Sequence, residues 1–381
     1  MILRIVFLFS FIFLNYLYAE CSDLDSTECL QWAEYCEWNA ETSECQEIGG
    51  GGGDTVYGPY EVLSISQSDG MRDGPLYSDA TLYYPVASDI SFTSVILGPG
   101  WGGDGDSMAE WAYFFASYGF TATTIDYNDP INESHQQRAE AMLDLIETVK
   151  LENIRNNSPV YNKIDTNKFA AVGYSLSGGV TQIIATLDSS LDAAIALNPT
   201  IIIEDCDGCS DFEYCICLLP EHLDHSVPTL IVSGEDEINE LPSYDGLLGN
   251  DQYFNTPEST LKMLYEIEGG SHGSAAYPTN NFVQSKTLNW LKFNLMDSTD
   301  VCNPLLEQPD DASLFLTTLD CNISQNFDIN SDGEINQEDL TMLVVSIING
   351  NDAEIEGDFN FDQLTDIFDI LLFSEYLNEN S

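Results

Sequence analysis

Two hydrophobic rhythms alternate along most of this chain: short apolar runs of strand length and longer stripes with helical spacing. Val62–Ser66 and Ala80–Tyr84 read as early antiparallel strands, and Ser94–Leu97 as a short apolar strand ending in Gly98-Pro-Gly-Trp-Gly-Gly103. Met108–Ser117 fits a helix and Thr121–Ile125 a strand. Glu133–Val149 places Ala139, Met142, Leu143, Ile146 and Val149 on one helical face. Phe169–Val172 is a strand and Val180–Leu187 lies in the helix after it. Ala193–Leu197, Thr229–Ser233 and Lys262–Glu268 supply three more strands, and Lys286–Leu295 a closing helix. Strands alternating with helices predict an α/β fold, a mostly parallel sheet with helices on both faces. In such sheets ligands bind beyond the carboxyl ends of the strands.

The pattern breaks at both ends. Residues 1–19 form an apolar block carrying Arg4 and closing on Ala19, which reads as a secretory signal peptide rather than an uncleaved membrane anchor. Residues 20–48 are a small cysteine-rich module, too short to hold together without disulfides, and Gly49–Gly53 opens a flexible linker over 49–54. The expected divisions are a 55–300 catalytic domain, a 301–323 disulfide-closed tail, and an acidic module over 324–381.

Composition narrows the function. Among 381 residues, 64 acidic against 10 basic give a formal charge of −54, which repels nucleic acid and anionic membranes. The ten cysteines fall in three even groups, Cys21, Cys29, Cys36 and Cys45; Cys206, Cys209, Cys215 and Cys217; Cys302 and Cys321. Even grouping suits disulfides in an oxidising compartment. The Cys-x₂-Cys-x₅-Cys-x-Cys run of the second group also has a zinc-binding alternative, which an exported chain makes the lesser one.

Phe169-Ala-Ala-Val-Gly-Tyr-Ser175-Leu-Ser-Gly-Gly has the layout of a nucleophile elbow: an apolar strand, a glycine two residues before a serine, and then a helix start. A nucleophilic serine needs a base, and the base needs an orienting acid. Of the four histidines, His272 sits in a glycine-rich loop after an apolar strand, where a base enters such a site. His135, His222 and His225 read as exposed structural residues. The acid is expected after Thr229–Ser233, where Glu235, Asp236 and Glu237 stand in a row. Asp236 is the choice because Ile238 can anchor the loop under the site, and Glu237 is the alternative. Backbone N–H groups of Trp101 and Leu176 are the expected oxyanion donors. The order Ser175, Asp236, His272 is that of α/β-hydrolases.

Several segments together carry a resemblance: Gly58-Pro-Tyr-Glu-Val, Gly98-Pro-Gly-Trp, Ser117-Tyr-Gly-Phe-Thr-Ala-Thr-Thr-Ile-Asp126, Ser158-Pro-Val-Tyr-Asn-Lys-Ile-Asp165, the elbow, Val227-Pro-Thr-Leu-Ile231, Gly269-Gly-Ser-His272 and Trp290-Leu-Lys. In them residues 58–300 resemble bacterial cutinases and PET hydrolases, polyester hydrolases of the α/β-hydrolase fold. The resemblance implies a secreted ester hydrolase with no cofactor needed for catalysis, its triad falling on Ser175, Asp236 and His272. It implies oxyanion donors at Trp101 and Leu176, with Trp101 also the aromatic clamp over the substrate. Cys302 and Cys321 match the family's C-terminal disulfide. There are departures. Thr200 stands where the family has a second aromatic wall, Tyr174 where it has Trp or His, and Ser177 where it has glycine. A cysteine-rich insertion lies between Glu204 and Leu219. Tyr174 and Thr200 join Trp101 as expected substrate contacts. An esterase for small soluble esters, and a non-catalytic surface-attachment protein, are the competing readings.

The acidic tail repeats itself. Asp328, Asn330, Asp332 and Asp339 place oxygens at positions 1, 3, 5 and 12 of a loop, with Glu334 offering its main-chain carbonyl at position 7. Asp358, Asn360, Asp362, Leu364 and Asp369 repeat the scheme, with Gln363 in place of a glycine. Each loop leads into an apolar helix, Leu340–Ile348 or Ile370–Leu377. This resembles a type I dockerin, an all-α module holding structural Ca²⁺, and implies a cohesin-like protein partner.

Overall fold

The computed structural model describes residues 36–39, 44–47, 55–87, 91–202, 223–241, 246–319, 321, 329–330, 335–349, 357, 359 and 365–379. The chain divides into two compact units, Met1–Leu319 and Asp320–Ser381.

In the first unit a hairpin, β1 (Cys36–Asn39) and β2 (Glu44–Glu47), precedes a nine-stranded sheet. Its elements in chain order are β3 (Val62–Ser66), β4 (Tyr77–Pro85), β5 (Phe92–Gly98), α1 (Ala109–Ser117), β6 (Thr121–Tyr127), α2 (His135–Glu152), β7 (Ile164–Tyr174), α3 (Leu176–Leu187) and β8 (Ala193–Leu197). A two-residue β9 (Ile201–Ile202) follows, then β10 (Thr229–Gly234), a single turn α4 (Glu237–Glu240), β11 (Gly246–Leu247), α5 (Gly249–Asn255), β12 (Lys262–Ile267), α6 (Asn281–Leu295), α7 (Cys302–Leu306) and β13 (Ala312–Thr317).

The sheet order is β13-β12-β10-β8-β7-β5-β6-β4-β3. The run from β12 to β6 is parallel throughout, while β4, β3 and β13 are antiparallel edges. The parallel strands are buried on both faces, and β5, β8 and β10 are buried at every position, as their unbroken apolar runs require. β13 lies in the segment expected to be a tail. Its half-buried residues close the sheet beside β12 instead.

Helix α2 starts at a capping box in which the Ser134 hydroxyl accepts from the Gln137 N–H and the Gln137 side chain accepts from the Ser134 N–H. It buries Met142, Leu145, Ile146 and Val149 against β-strand residues and α3; Leu143, expected on that face, is only half-buried. Helix α3 is buried from Leu176 to Ala185, between α2 and the sheet, and it begins at the end of β7. Crossing from β5 to β6 in one direction and from β6 to β7 in the other opens a switch point beyond the carboxyl ends of β5 and β7. Ser175 sits there.

The second unit carries α8 (Gln337–Asn349) and α9 (Ile367–Glu379), packed around Leu340, Leu343, Phe359 and Phe373. Among the described residues no helix is long and apolar enough to cross a membrane.

Candidate active site

Among the described residues, Ser175 is one of four non-glycine residues with positive φ, at φ 53° and ψ −117°. Such a conformation costs about 1–3 kcal/mol and persists only where the surroundings impose it. Here its N–H donates to Leu197 O (2.9 Å), and its carbonyl accepts from Thr200 N (3.0 Å) and Gly179 N (3.2 Å). The turn is tight enough that a Cβ on Gly173 would stand 1.9 Å from the Ser177 carbonyl oxygen, so only glycine fits there.

The Ser175 hydroxyl lies 2.8 Å from His272 Nε2, and His272 Nδ1 lies 3.0 Å from Glu237 Oε1. His272 is partly exposed and Glu237 is buried. The carboxylate beside the imidazole is therefore that of Glu237, not Asp236. Asp236 caps the turn α4 with φ −88° and ψ −1°, is exposed, and accepts from Asn239 Nδ2 at 3.2 Å. That turn sends Glu237 inward and the two residues beside it outward. Ile238, expected to anchor the loop, is 68% exposed.

Close backbone contact holds the acid and base loops together. Asp236 N donates to Gly270 O (2.9 Å) and Glu235 N to Ile267 O (3.0 Å). A Cβ on Gly234 would lie 2.2 Å from Gly270 O, so this approach needs glycine. Side chains add to it: Glu235 Oε2 accepts from Gly269 N (2.9 Å) and Glu240 Oε2 from His272 N (2.7 Å). The Tyr174 hydroxyl donates to the His272 carbonyl (3.0 Å), and the two rings lie 5.7 Å apart. Tyr174 thus braces the base loop.

The Gly98–Gly103 loop is pinned from below. The Ser177 hydroxyl donates to the Pro99 carbonyl and pairs with the Tyr127 hydroxyl at 2.9 Å. Arg138, fully buried, reaches the carbonyls of Pro99 and Gly100 at 3.5 Å each and that of Pro130 at 2.5 Å, and its guanidinium lies 4.3 Å from the Tyr127 ring centre. Burial pushes the Tyr127 phenol up to about 12, so it stays a neutral donor. Gly100 O also accepts from Gly103 N at 3.2 Å. In a trans peptide this turns the Trp101 N–H away from those donors. Leu176 N–H is the first of α3, where a helix leaves its donors without intrahelical acceptors. Trp101 itself is 64% exposed and fixed by its indole N–H to Ile131 O (2.9 Å), a flat ring at the rim of the site.

Thr200 offers no wall. It is buried, its N–H is spent on Ser175, and its carbonyl faces His135 Nε2 at 3.0 Å. His135 and His225, expected to be exposed, are both buried, and burial lowers each to about 4, so both are neutral. His225 Nε2 pairs with Gln182 Oε1 at 2.6 Å. His222 and the cysteine insertion, with Cys206, Cys209, Cys215 and Cys217, lie outside the described residues. Cys302 and Cys321 are disulfide-bonded. Asn198, which the sequence reading passed over, sits fully buried against Glu237 with Nδ2 2.7 Å from Oε1.

In the second unit, Asn330, Asp339 and Asp369 are described; Asp328, Asp332, Glu334, Asp358, Asn360, Asp362 and Leu364 lie outside the described residues. Asp339 is fully buried and accepts from Asn330 N (3.1 Å) and Asn336 N (2.9 Å). Asp369 repeats this with Phe359 N (2.6 Å) and Asp366 N (2.8 Å). Each carboxylate caps its helix while facing the loop before it.

A family model described as PET hydrolase-like matches residues 52–319. A bis(hydroxyethyl) terephthalate hydrolase of Streptomyces coelicolor is 27% identical over 248 residues, 65% of this chain and 71% of that protein. Cutinase est2 of Thermobifida alba is 29% identical over 239 residues, 62% and 69% of the two chains. Cutinase 2 of Thermobifida cellulosilytica is 27% identical over 238 residues, 62% and 79%. The family model covers well over half of the chain, and it includes every residue gathered around Ser175: the chain belongs to the PET hydrolase-like family and is an ester hydrolase.

Proposed function

We propose that this is a secreted serine hydrolase that cleaves polyester or related ester bonds through an acyl-enzyme on Ser175. His272 takes the hydroxyl proton as the serine attacks the ester carbonyl and returns it to the leaving alcohol. It then activates water to release the acid. Glu237 holds the imidazole by Nδ1 and balances the imidazolium that forms. The N–H groups of Trp101 and Leu176 would receive the developing oxyanion. The observation that carries this reading is the unbroken line from Ser175 Oγ to His272 Nε2 (2.8 Å) and from His272 Nδ1 to Glu237 Oε1 (3.0 Å).

Trp101 gives an aromatic substrate ring a surface to lie on, which supports a polymer substrate. Small soluble esters are the second reading, favoured by the burial of Thr200, which leaves that ring no opposing wall at this position. Hydrolysis of a polyester film and of short p-nitrophenyl esters by the same preparation decides between them. Soluble product from the film supports the first reading, and turnover of the short esters alone supports the second.

The second unit is proposed to bind Ca²⁺ structurally through two loops ending at Asp339 and Asp369, and through them a cohesin-like partner. The buried carboxylates at both twelfth positions fit a divalent cation, which takes oxygen ligands. Calcium-dependent protection of the 324–381 segment from proteolysis tests this, and equal cleavage with calcium and with chelator refutes it.

A further inference from the structure

Asn198 directly follows β8, and its backbone is left-handed, at φ 42°. Asparagine tolerates that region better than other side-chain-bearing residues, yet it remains a cost. Its fully buried side chain is engaged on both ends. Oδ1 accepts from the Ala275 N–H at 2.7 Å. A backbone N–H can only donate, so the atom facing Ala275 is the oxygen and the amide nitrogen faces the other way. Nδ2 then donates to Glu237 Oε1 at 2.7 Å, with Ser274 Oγ at 3.2 Å and Ser271 O at 3.3 Å. Glu237 Oε1 is the same oxygen that faces His272 Nδ1. The Asn198 N–H donates to Val232 O at 2.7 Å, so the residue is also tied to β10, the strand that precedes the turn bearing Glu237.

We propose that Asn198 is a positioning residue: it fixes the rotamer of Glu237 and locks the base loop to it, so that one carboxylate oxygen serves His272. This rests on the reading of Ser175, His272 and Glu237 given above. A glutamate has one more rotatable bond than an aspartate. A buried one therefore needs a second fixed donor to keep its oxygen on the imidazole. Asn198 is that donor, and through Ala275 it sets the distance between the acid and the loop bearing His272. The other titratable groups around this loop are Glu235 and Glu240, which accept from backbone N–H groups, Tyr174, which donates to the His272 carbonyl, and exposed Asp236.

Two variants of the full chain test it. Asn198→Gly keeps the backbone conformation and deletes the amide. Asn198→Asp keeps the shape and the bond from Ala275 but sets a second carboxylate against Glu237. Active sites are counted by titration with a covalent phosphonate, so that kcat refers to folded enzyme. Loss of a hydrogen bond to a charged group predicts a fall in kcat of about 10–100-fold for Asn198→Gly, with KM within about threefold. Asn198→Asp should be the poorer enzyme despite its better shape. The acid limb of its kcat/KM profile should move to higher pH, because a second negative charge favours the imidazolium. Asn198→Asp with the kcat and pH profile of the parent would overturn the proposal and leave a packing role. Ser175→Ala and Glu237→Gln run alongside: if these remain active the triad reading itself fails, whereas their inactivity beside a fully active Asn198→Asp removes only the inference about Asn198.

Discussion

A carboxylate can serve His272 only from the side of the ring opposite Ser175, and one turn after β10 decides which residue supplies it. Three carboxylates stand in sequence there, and their order alone does not say which points inward. The strand ends at Gly234, two exposed residues follow, and α4 begins after its cap Asp236, so the inward position falls on Glu237. The same chain shows why an adjacent apolar residue misleads: Ile238 is exposed because its neighbour is the buried one. Glu237→Gln should lower kcat by on the order of 10³–10⁴-fold, since an amide can present the wrong partner to Nδ1–H. Asp236→Asn should leave kcat within about twofold, as expected for an exposed surface change. Steady-state kinetics of the two purified variants on one soluble ester separate them, and the reverse ranking would restore Asp236.

The elements were readable where local pattern decides them. The apolar runs located all six parallel strands, and the glycine-serine signature located the elbow. The signal failed where partners distant in sequence decide. β13 is a half-buried edge strand whose place is set by β12, so its own residues carry little alternation. The burial of His135 and His225 depends on Thr200 and Gln182, which nothing nearby announces. Ser177, a departure from the family at the level of sequence, has a physical role in the fold. A Cβ on Gly98 would meet the Ser177 Cβ at 2.9 Å, so a bare Gly98 leaves room for a serine that ties α3 to the Pro99 carbonyl. Ser177→Ala should loosen that loop and lower kcat about tenfold with little change in melting temperature, because Arg138 still reaches the Pro99 and Gly100 carbonyls. Unchanged kcat in that variant would show that the loop keeps its position without the bond.

At the scale of the molecule, charge dominates. Each described lysine and arginine is already committed. Arg72, Lys150, Arg155 and Lys168 pair with carboxylates. Lys262 and Lys286 are buried on backbone carbonyls. Arg138 and Lys163 donate to carbonyls, and Lys292 lies over the Tyr118 ring. The formal charge of −54 is therefore left to repel itself across the surface. Raising NaCl from about 0.05 M to about 1 M should lift Tm by roughly 5 °C through screening, and a Tm that falls with salt would contradict this. Composition announced that field, but only the fold shows how few cations are free to offset it. The central claim concerns one hydroxyl, and the most direct measurement of it is covalent. Incubation with an ester-mimicking aryl phosphonate, followed by peptide mass spectrometry, should place one adduct on Ser175, with activity lost in step with labelling, and should leave His272→Ala unlabelled over the same time. Full activity after labelling, or an adduct on any other serine, would contradict the account.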